Sequence, residues 1–162
     1  MDITNFNVSV DVFARLGFAV LTGFILGLNR WLNHKDAGIR THSLVSIGAA
    51  VAMMLISGLS SDESQAYSRV LQGLITGVGF LGAGVILREN KTQKIHGLTT
   101  AASIWVCALV GATFGAGQFI LGLSTLLVIL FVLVVGGRAE FLVSRLFNLK
   151  IESENFRQEN KD

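Results

Sequence analysis

The sequence predicts an all-α fold, a polytopic membrane helix bundle of about five transmembrane helices. The chain is 51% apolar and only 15% charged, with a mean hydropathy of +0.60, and this composition is too apolar to cover the surface of a soluble domain. Five apolar stretches also approach the ~20 residues needed to cross a hydrocarbon core of roughly 30 Å. The absence of Pro and the presence of 18 Gly favour unbroken helices that pack closely.

The five apolar stretches define the predicted spans. They are residues 12–28, 43–59, 70–87, 98–115 and 119–137. The segments between them are too short to hold a folded domain, so residues 1–137 are predicted to form one transmembrane bundle. Residues 138–162 interleave charged and apolar side chains and then become polar, which predicts a cytoplasmic amphipathic extension followed by a mobile tail.

The positions of Lys and Arg predict the orientation, because cytoplasmic loops are enriched in them. All but two of the 13 basic residues fall in the first loop, the third loop and the C-terminal segment, the exceptions being Arg15 and Arg69. Five spans bring these three segments to the same side of the membrane. The N-terminus is therefore expected outside and the C-terminus in the cytoplasm. The acidic N-terminus lacks the basic region of a cleavable signal peptide, so the first span is expected to stay as an anchor.

Three runs of spaced glycines mark faces where another helix can approach closely. The glycines are Gly23, Gly27, Gly73, Gly77, Gly79, Gly82, Gly84, Gly111 and Gly115. Packing inside the bundle is one interpretation, and a homodimer or contact with a second membrane protein is another. A third is a helix broken between Gly77 and Gly84 in the middle of the membrane, as in transporters.

Polar residues collect at the cytoplasmic starts of the second and fourth spans. The candidate site residues there are Asn29, Arg30, Arg40, Thr41, Arg88, Thr99, Thr100 and Ser103. Helix N-termini beside arginines favour an anion, such as a lipid headgroup or a nucleotide phosphate. Helix capping combined with the positive-inside bias explains the same residues without a ligand.

Two local predictions concern this polar region at the starts of the second and fourth spans, which we call the cytoplasmic mouth. Thr41 or Ser43, and Thr99 or Thr100, are expected as N-caps, because their hydroxyls accept hydrogen bonds from free N–H groups. Thr99, Ser103 and Cys107 follow at helical spacing, which predicts one stripe descending from the mouth with Cys107 lining a pocket.

Other site classes are not indicated. The predicted spans contain no Asp or Glu, and these are residues that magnesium pathways and proton relays commonly use. The three His show no metal-ligand spacing, and no catalytic motif is present. We therefore expect no metal site, no cofactor, no enzymatic activity and no nucleic-acid partner.

Three segments resemble the signature blocks of the MgtC/SapB family of bacterial inner-membrane proteins. They are residues 37–49, 77–86 and 97–106. The resemblance implies location in the inner membrane and a role in bacterial magnesium homeostasis. Asn29 departs from the family pattern, which commonly has an acidic residue before the arginine. The chain is expected to be a short, SapB-like member without a soluble C-terminal domain.

Three functions follow as expectations. The first is a regulator that acts through contacts with other membrane proteins. The second is a magnesium permease using backbone oxygens of residues 77–84, and the third is a lipid- or nucleotide-sensing module. The expected partners are the lipid bilayer, other membrane proteins and a second copy of the chain.

Overall fold

Five helices and one small hairpin make up the described part of the chain. A computed structural model describes residues 10–56, 63–88 and 95–159. The elements are α1 (Val10–Leu32), α2 (Ile39–Met54), α3 (Glu63–Val85), β1 (Leu87–Arg88), β2 (Ile95–His96), α4 (Leu98–Gly115) and α5 (Phe119–Glu159). The predicted all-α membrane bundle is confirmed, and the antiparallel β1–β2 hairpin is an addition that the hydropathy pattern did not indicate.

Four of these helices are long and apolar enough to cross a membrane, whereas α2 is shorter. Its 16 residues extend about 24 Å at 1.5 Å per residue. Compared with the predicted span at 43–59, α2 begins four residues earlier and ends at Met54. The broken-helix alternative is wrong, because α3 runs continuously from Glu63 to Val85.

The chain divides into two compact units, and the boundary in the sequence lies between residues 126 and 127. The first contains α1 to α4 and the start of α5. The second contains the rest of α5, a single helix with exposed apolar side chains such as Leu127 and Phe131. The helix passes the predicted boundary at residue 137 without interruption and continues to Glu159.

Helix α2 packs closely against both α1 and α4 because glycines face it from both neighbours. A Cβ at Gly23 or Gly27 would overlap the backbone of α2 near Ser43 and Ile39. A Cβ at Gly111 or Gly115 would overlap α2 further along, at Ser46 and Ala50. Two of the three glycine runs are therefore used for helix contacts inside the first unit.

The apolar core lies where α2, α3 and α4 meet. Its buried members include Ala49, Met53, Ile104 and Ala108. Helix α3 contributes the buried Val78, and partly buried side chains along the same face pack against this core. Small residues on α2 and α4 let these helices approach, and the larger side chains of α3 close the third side.

The start and end of α1 each contact α4. Arg15 donates a 2.7 Å hydrogen bond from Nη1 to the carbonyl oxygen of Gly115 at the end of α4, and its Nε pairs with Asp11 at 2.7 Å. Phe18 and Phe114 stack nearby with ring centroids 5.3 Å apart. At the other end of α1, Arg30 reaches Thr100 in the first turn of α4. Helices α1 and α4 are therefore antiparallel.

The predicted N-caps are wrong. Gly38 caps α2 and Gly97 caps α4, and neither position has a side-chain cap hydrogen bond. Gly97 has a φ of 89°, a left-handed conformation that favours glycine, and a Cβ there would also overlap the carbonyl of Val85. Both helices begin before the expected hydroxyl residues, which lie within the helices.

Candidate functional site

A group of polar side chains is enclosed between α1, α2 and α4. We call it the buried polar cluster, and its members are Arg30, His42, Ser46, Thr100, Ser103 and Cys107. Each is buried, and Arg30, the most accessible member, is only 6% exposed. Polar groups removed from water need partners, so the hydrogen bonds of this cluster determine what it can do.

Arg30 joins α1 to α4 within the cluster. Its Nη2 donates a 2.8 Å hydrogen bond to the Thr100 hydroxyl, while its Nε has no partner among the described residues. The two carboxylates whose side chains are described lie elsewhere, with Asp11 paired to Arg15 and Asp36 exposed. Since a guanidinium stays protonated in proteins, Arg30 places a positive charge inside the bundle.

His42 joins α2 to α4. Its Nδ1 lies 2.9 Å from the carbonyl oxygen of Gly38, and its Nε2 lies 3.0 Å from the Ser103 hydroxyl. Ser103 in turn donates a 2.8 Å bond to the carbonyl oxygen of Thr100. The side chain therefore links the beginning of α2 to the second turn of α4.

The protons in this chain of hydrogen bonds can be counted. A carbonyl oxygen only accepts, so Nδ1 must carry a proton to bond Gly38. If Ser103 gives its proton to Thr100, then Nε2 must donate to Ser103, and the imidazole of His42 carries two protons and a positive charge. A neutral imidazole makes only two of the three bonds at once. The cluster thus contains either a second cation or one unmade hydrogen bond.

The polar row continues along α4 with a thiol and a hydroxyl. The Cys107 Sγ donates to the carbonyl oxygen of His42 at 3.4 Å, and Cys107 is fully enclosed rather than open to a pocket. The Ser46 hydroxyl has no hydrogen-bond partner among the described residues. The stripe on α4 consists of Thr100, Ser103 and Cys107, because Thr99 lies on the exposed side of the helix.

The remaining candidate residues lie outside the cluster. Arg40 and Thr41 are exposed and line an open groove of about 910 Å³ together with Trp31 and Asp36. Asn29 is half-buried, and its Oδ1 has no partner among the described residues. Arg88 belongs to β1, and its side chain lies outside the described set. The predicted mouth therefore separates into a buried polar cluster and a surface groove.

Two members of the buried polar cluster were not among the predicted site residues. His42 entered the predictions only as one of three histidines without metal-ligand spacing, and Ser46 did not enter them. A signal for both exists in the sequence, since His42, Ser46, Ala49 and Met53 recur at helical spacing and all four are buried on α2. Small and polar residues dominate this face, so hydropathy did not distinguish it from the rest of α2.

The fold and the cluster define a multi-pass helical membrane protein with a positively charged polar centre between three helices. More specifically, the chain belongs to the MgtC family, whose model matches residues 16–141. The match confirms the resemblance read from the three sequence blocks. It includes the buried polar cluster and all of α3.

Curated relatives agree with this assignment. The chain is 45% identical to the SrpB protein of Synechococcus elongatus, over 67% of this chain and 65% of SrpB. It is 42% identical to the MgtC protein of Brucella abortus, over 64% of this chain and 42% of that protein. It is 36% identical to YhiD of Escherichia coli K12, which is named as a proposed magnesium transporter, over 91% of this chain and 71% of YhiD. No solved structure matches the chain.

The alignments cover unequal parts of these relatives. The chain spans slightly under two thirds of SrpB and under half of MgtC.

Proposed function

We propose that this protein acts in bacterial magnesium homeostasis as a regulator that works through contacts with other membrane proteins. It would do so in the inner membrane, with its N-terminus outside and its C-terminus in the cytoplasm. Membership of the MgtC family and similarity to YhiD, a proposed magnesium transporter, support the link to magnesium. The geometry of α3 supports action by contact.

The observation that carries the proposal is an unpartnered glycine face on α3. Gly73, Gly77, Phe80 and Gly84 follow at spacings of four, three and four residues, which places them on one side of the helix. A Cβ at any of the three glycines would meet no atom of a described residue within 4 Å, and Phe80 is 81% exposed. Within the unit that contains α1 to α4, this face therefore has no packing neighbour among the described residues.

The glycines on this face are costly in a helix unless something packs against them. Glycine in a helix interior is less favourable than alanine by about 0.5–1 kcal/mol. In α1 and α4 the same residue type permits contact with α2, whereas Gly73 and Gly77 have no such neighbour in the described chain. Close packing of a second transmembrane helix would offset that cost, since small residues drive helix association in lipid.

The surroundings of the glycines also indicate which helix face is available for a homodimer. Gly111 faces Ser46 of α2, so the groove on α4 is already occupied within one molecule. The face of α3 at Gly73 remains for a second copy or for a different membrane protein. Gly79 and Gly82 lie off this face, and Gly82 is buried toward α4, where its Cβ would be 3.5 Å from that of Ala101.

The chemistry of the buried polar cluster favours a regulator over a carrier. Magnesium prefers carboxylate, carbonyl and water oxygens. The cluster instead presents a guanidinium, an imidazole, hydroxyls and a thiol, of which the guanidinium repels a divalent cation. The permease alternative also relied on free backbone oxygens near Gly77, where α3 is a continuous helix.

Flux measurements test the proposal against the permease alternative. The purified full-length protein is reconstituted into liposomes that contain a magnesium-sensitive dye, and external magnesium is added with a membrane potential imposed. We expect the same influx as in protein-free liposomes. A known magnesium channel reconstituted in parallel verifies that the assay detects transport.

The contrary outcome is equally clear. Magnesium influx that increases with the amount of reconstituted protein and saturates with magnesium concentration would overturn the regulatory proposal and establish the permease.

A further inference from the structure

The guanidinium of Arg30 has no counter-charge in the part of the chain that the structure describes. Its hydrogen bond goes to the neutral hydroxyl of Thr100, and the described carboxylates, Asp11 and Asp36, lie elsewhere. A charge taken out of water without a partner is strongly destabilising, and arginine does not relieve this by losing its proton. The arrangement therefore calls for an anion.

Hydrogen-bond donors without acceptors converge at the same place. The Nε of Arg30 has no acceptor among the described residues. Thr100 accepts its bond from Arg30, and no described group accepts the proton of the Thr100 hydroxyl. Thr100 also belongs to the first turn of α4, whose N-cap, Gly97, provides no side-chain cap, so the N–H groups of that turn are unsatisfied by side chains.

From this convergence we infer that Arg30, Thr100 and the first turn of α4 form a binding site for a single phosphate group. A phosphate offers only acceptors and carries negative charge, which suits both the guanidinium and the positive end of the helix dipole. Leu98 and Thr99 in the same turn are exposed, so no described residue covers the outer side of the first turn of α4.

The site uses only part of the predicted anion site, which included Arg30, Arg40 and Arg88. Arg40 is exposed beside the surface groove, where water satisfies its charge. Arg30 is enclosed and incompletely bonded. The phosphate site is also independent of the α3 face, so its failure would leave the proposed regulatory function untouched.

Thermal unfolding of the full-length protein in an uncharged detergent tests the site with inorganic phosphate as the probe. Phosphate is titrated against sodium chloride at matched ionic strength and pH. A ligand that binds only the folded state raises the melting temperature in a saturable manner. We expect such a rise for the wild-type protein, its absence in Arg30→Gln, and its retention in the matched control Arg40→Gln.

A second variant keeps the test decisive if Arg30→Gln does not fold. Thr100→Val removes the hydroxyl and leaves the guanidinium in place. Loss of one hydrogen bond to a charged group predicts a phosphate midpoint about tenfold higher than in the wild type.

A second arm distinguishes a free phosphate from a lipid headgroup. The wild type and both arginine variants are melted in nanodiscs of phosphatidylglycerol and of phosphatidylcholine. If the ligand is a lipid phosphate, the anionic lipid raises the melting temperature of the wild type and Arg40→Gln but not of Arg30→Gln, and inorganic phosphate in detergent has little effect.

Two results would overturn the inference. One is the absence of saturable stabilisation in both arms, which is expected if Arg30 pairs with a carboxylate outside the described residues. The other is stabilisation of equal size in Arg30→Gln and the wild type, since the anion would then bind elsewhere.

Discussion

His42 connects two helices through both of its ring nitrogens, and no apolar residue of similar size can replace these contacts. Its bonds reach Gly38 at the start of α2 and Ser103 on α4, and its side chain is fully buried. A buried hydrogen bond adds little net stability, but leaving its partner unsatisfied costs more. The stability of the α2–α4 contact therefore depends on this imidazole.

Replacement of His42 tests that dependence. His42→Ala removes both hydrogen bonds of the imidazole and opens a cavity, so we expect a loss of about 2–4 kcal/mol in unfolding free energy. Thermal melting in detergent provides the measurement. His34→Asn is the matched control: His34 is exposed with a φ of 53°, which asparagine tolerates, so its effect should stay within about 0.5 kcal/mol. Equal stability of the two variants would contradict the role given to His42.

The capping preference of hydroxyl side chains did not predict where α2 begins. Its N-terminus was expected at Thr41 or Ser43 because hydroxyls commonly cap helices. The helix begins at Ile39 instead, and the amide of His42 bonds to the carbonyl oxygen of Gly38 to close the first turn. Gly23 and Gly27 of α1 let the backbone of α2 approach closely at this point. This tertiary contact outweighs the capping preference.

The glycine runs differ in what surrounds them, and this difference predicts opposite effects of one substitution. Gly111→Ala places a methyl group against the backbone of Ser46, so we expect a destabilisation of about 1–3 kcal/mol from overpacking. The methyl group of Gly73→Ala meets no described residue and adds helix propensity, so we expect a stabilisation of about 0.5–1 kcal/mol. Thermal melts of the two variants in the same detergent compare them directly.

The sign of the Gly73→Ala effect on stability shows whether the α3 face is free. If Gly73→Ala destabilised the monomeric protein as strongly as Gly111→Ala, α3 would already be packed within the molecule, and its face would not be available to a partner.

At the scale of the whole molecule, the sequence predicted the class of fold but not the arrangement of its polar residues. The length of an apolar run reflects the thickness of the bilayer, and the spacing of glycines reflects close helix packing. Both patterns can be recognised within one segment of the chain. The buried polar cluster depends on the rotation of three helices relative to one another. That rotation places Thr100 rather than Thr99 beside Arg30, and one sequence does not contain enough local information to choose between adjacent positions.

The antiparallel contact of α1 and α4 makes the predicted orientation testable. Arg30 meets the first turn of α4, whereas Arg15 meets its last residue, Gly115. The loop after α1 and the turn after α4 therefore lie at opposite ends of these helices. The native Cys107 is fully buried and gives little background to thiol labelling.

Cysteines at exposed positions of this loop and this turn report which end faces the cytoplasm. With a membrane-impermeant thiol reagent on intact cells, we expect labelling of Gln118→Cys, because the α4–α5 turn is predicted to lie outside. Lys35→Cys in the α1–α2 loop should react only after permeabilisation. Labelling of Lys35→Cys in intact cells would reverse the orientation derived from the basic residues.

The claim that most needs testing is that the open glycine face of α3 carries the function. The direct measurement is growth at low magnesium of a bacterial strain that depends on this protein, comparing Gly77→Ile with Gly17→Ile at equal protein levels in the membrane. Gly17 is the matched control because it too is exposed and has no described neighbour within 4 Å of its Cβ position, but it lies on α1. We predict that Gly77→Ile abolishes growth and that Gly17→Ile grows like the wild type. Normal growth of Gly77→Ile would contradict the claim.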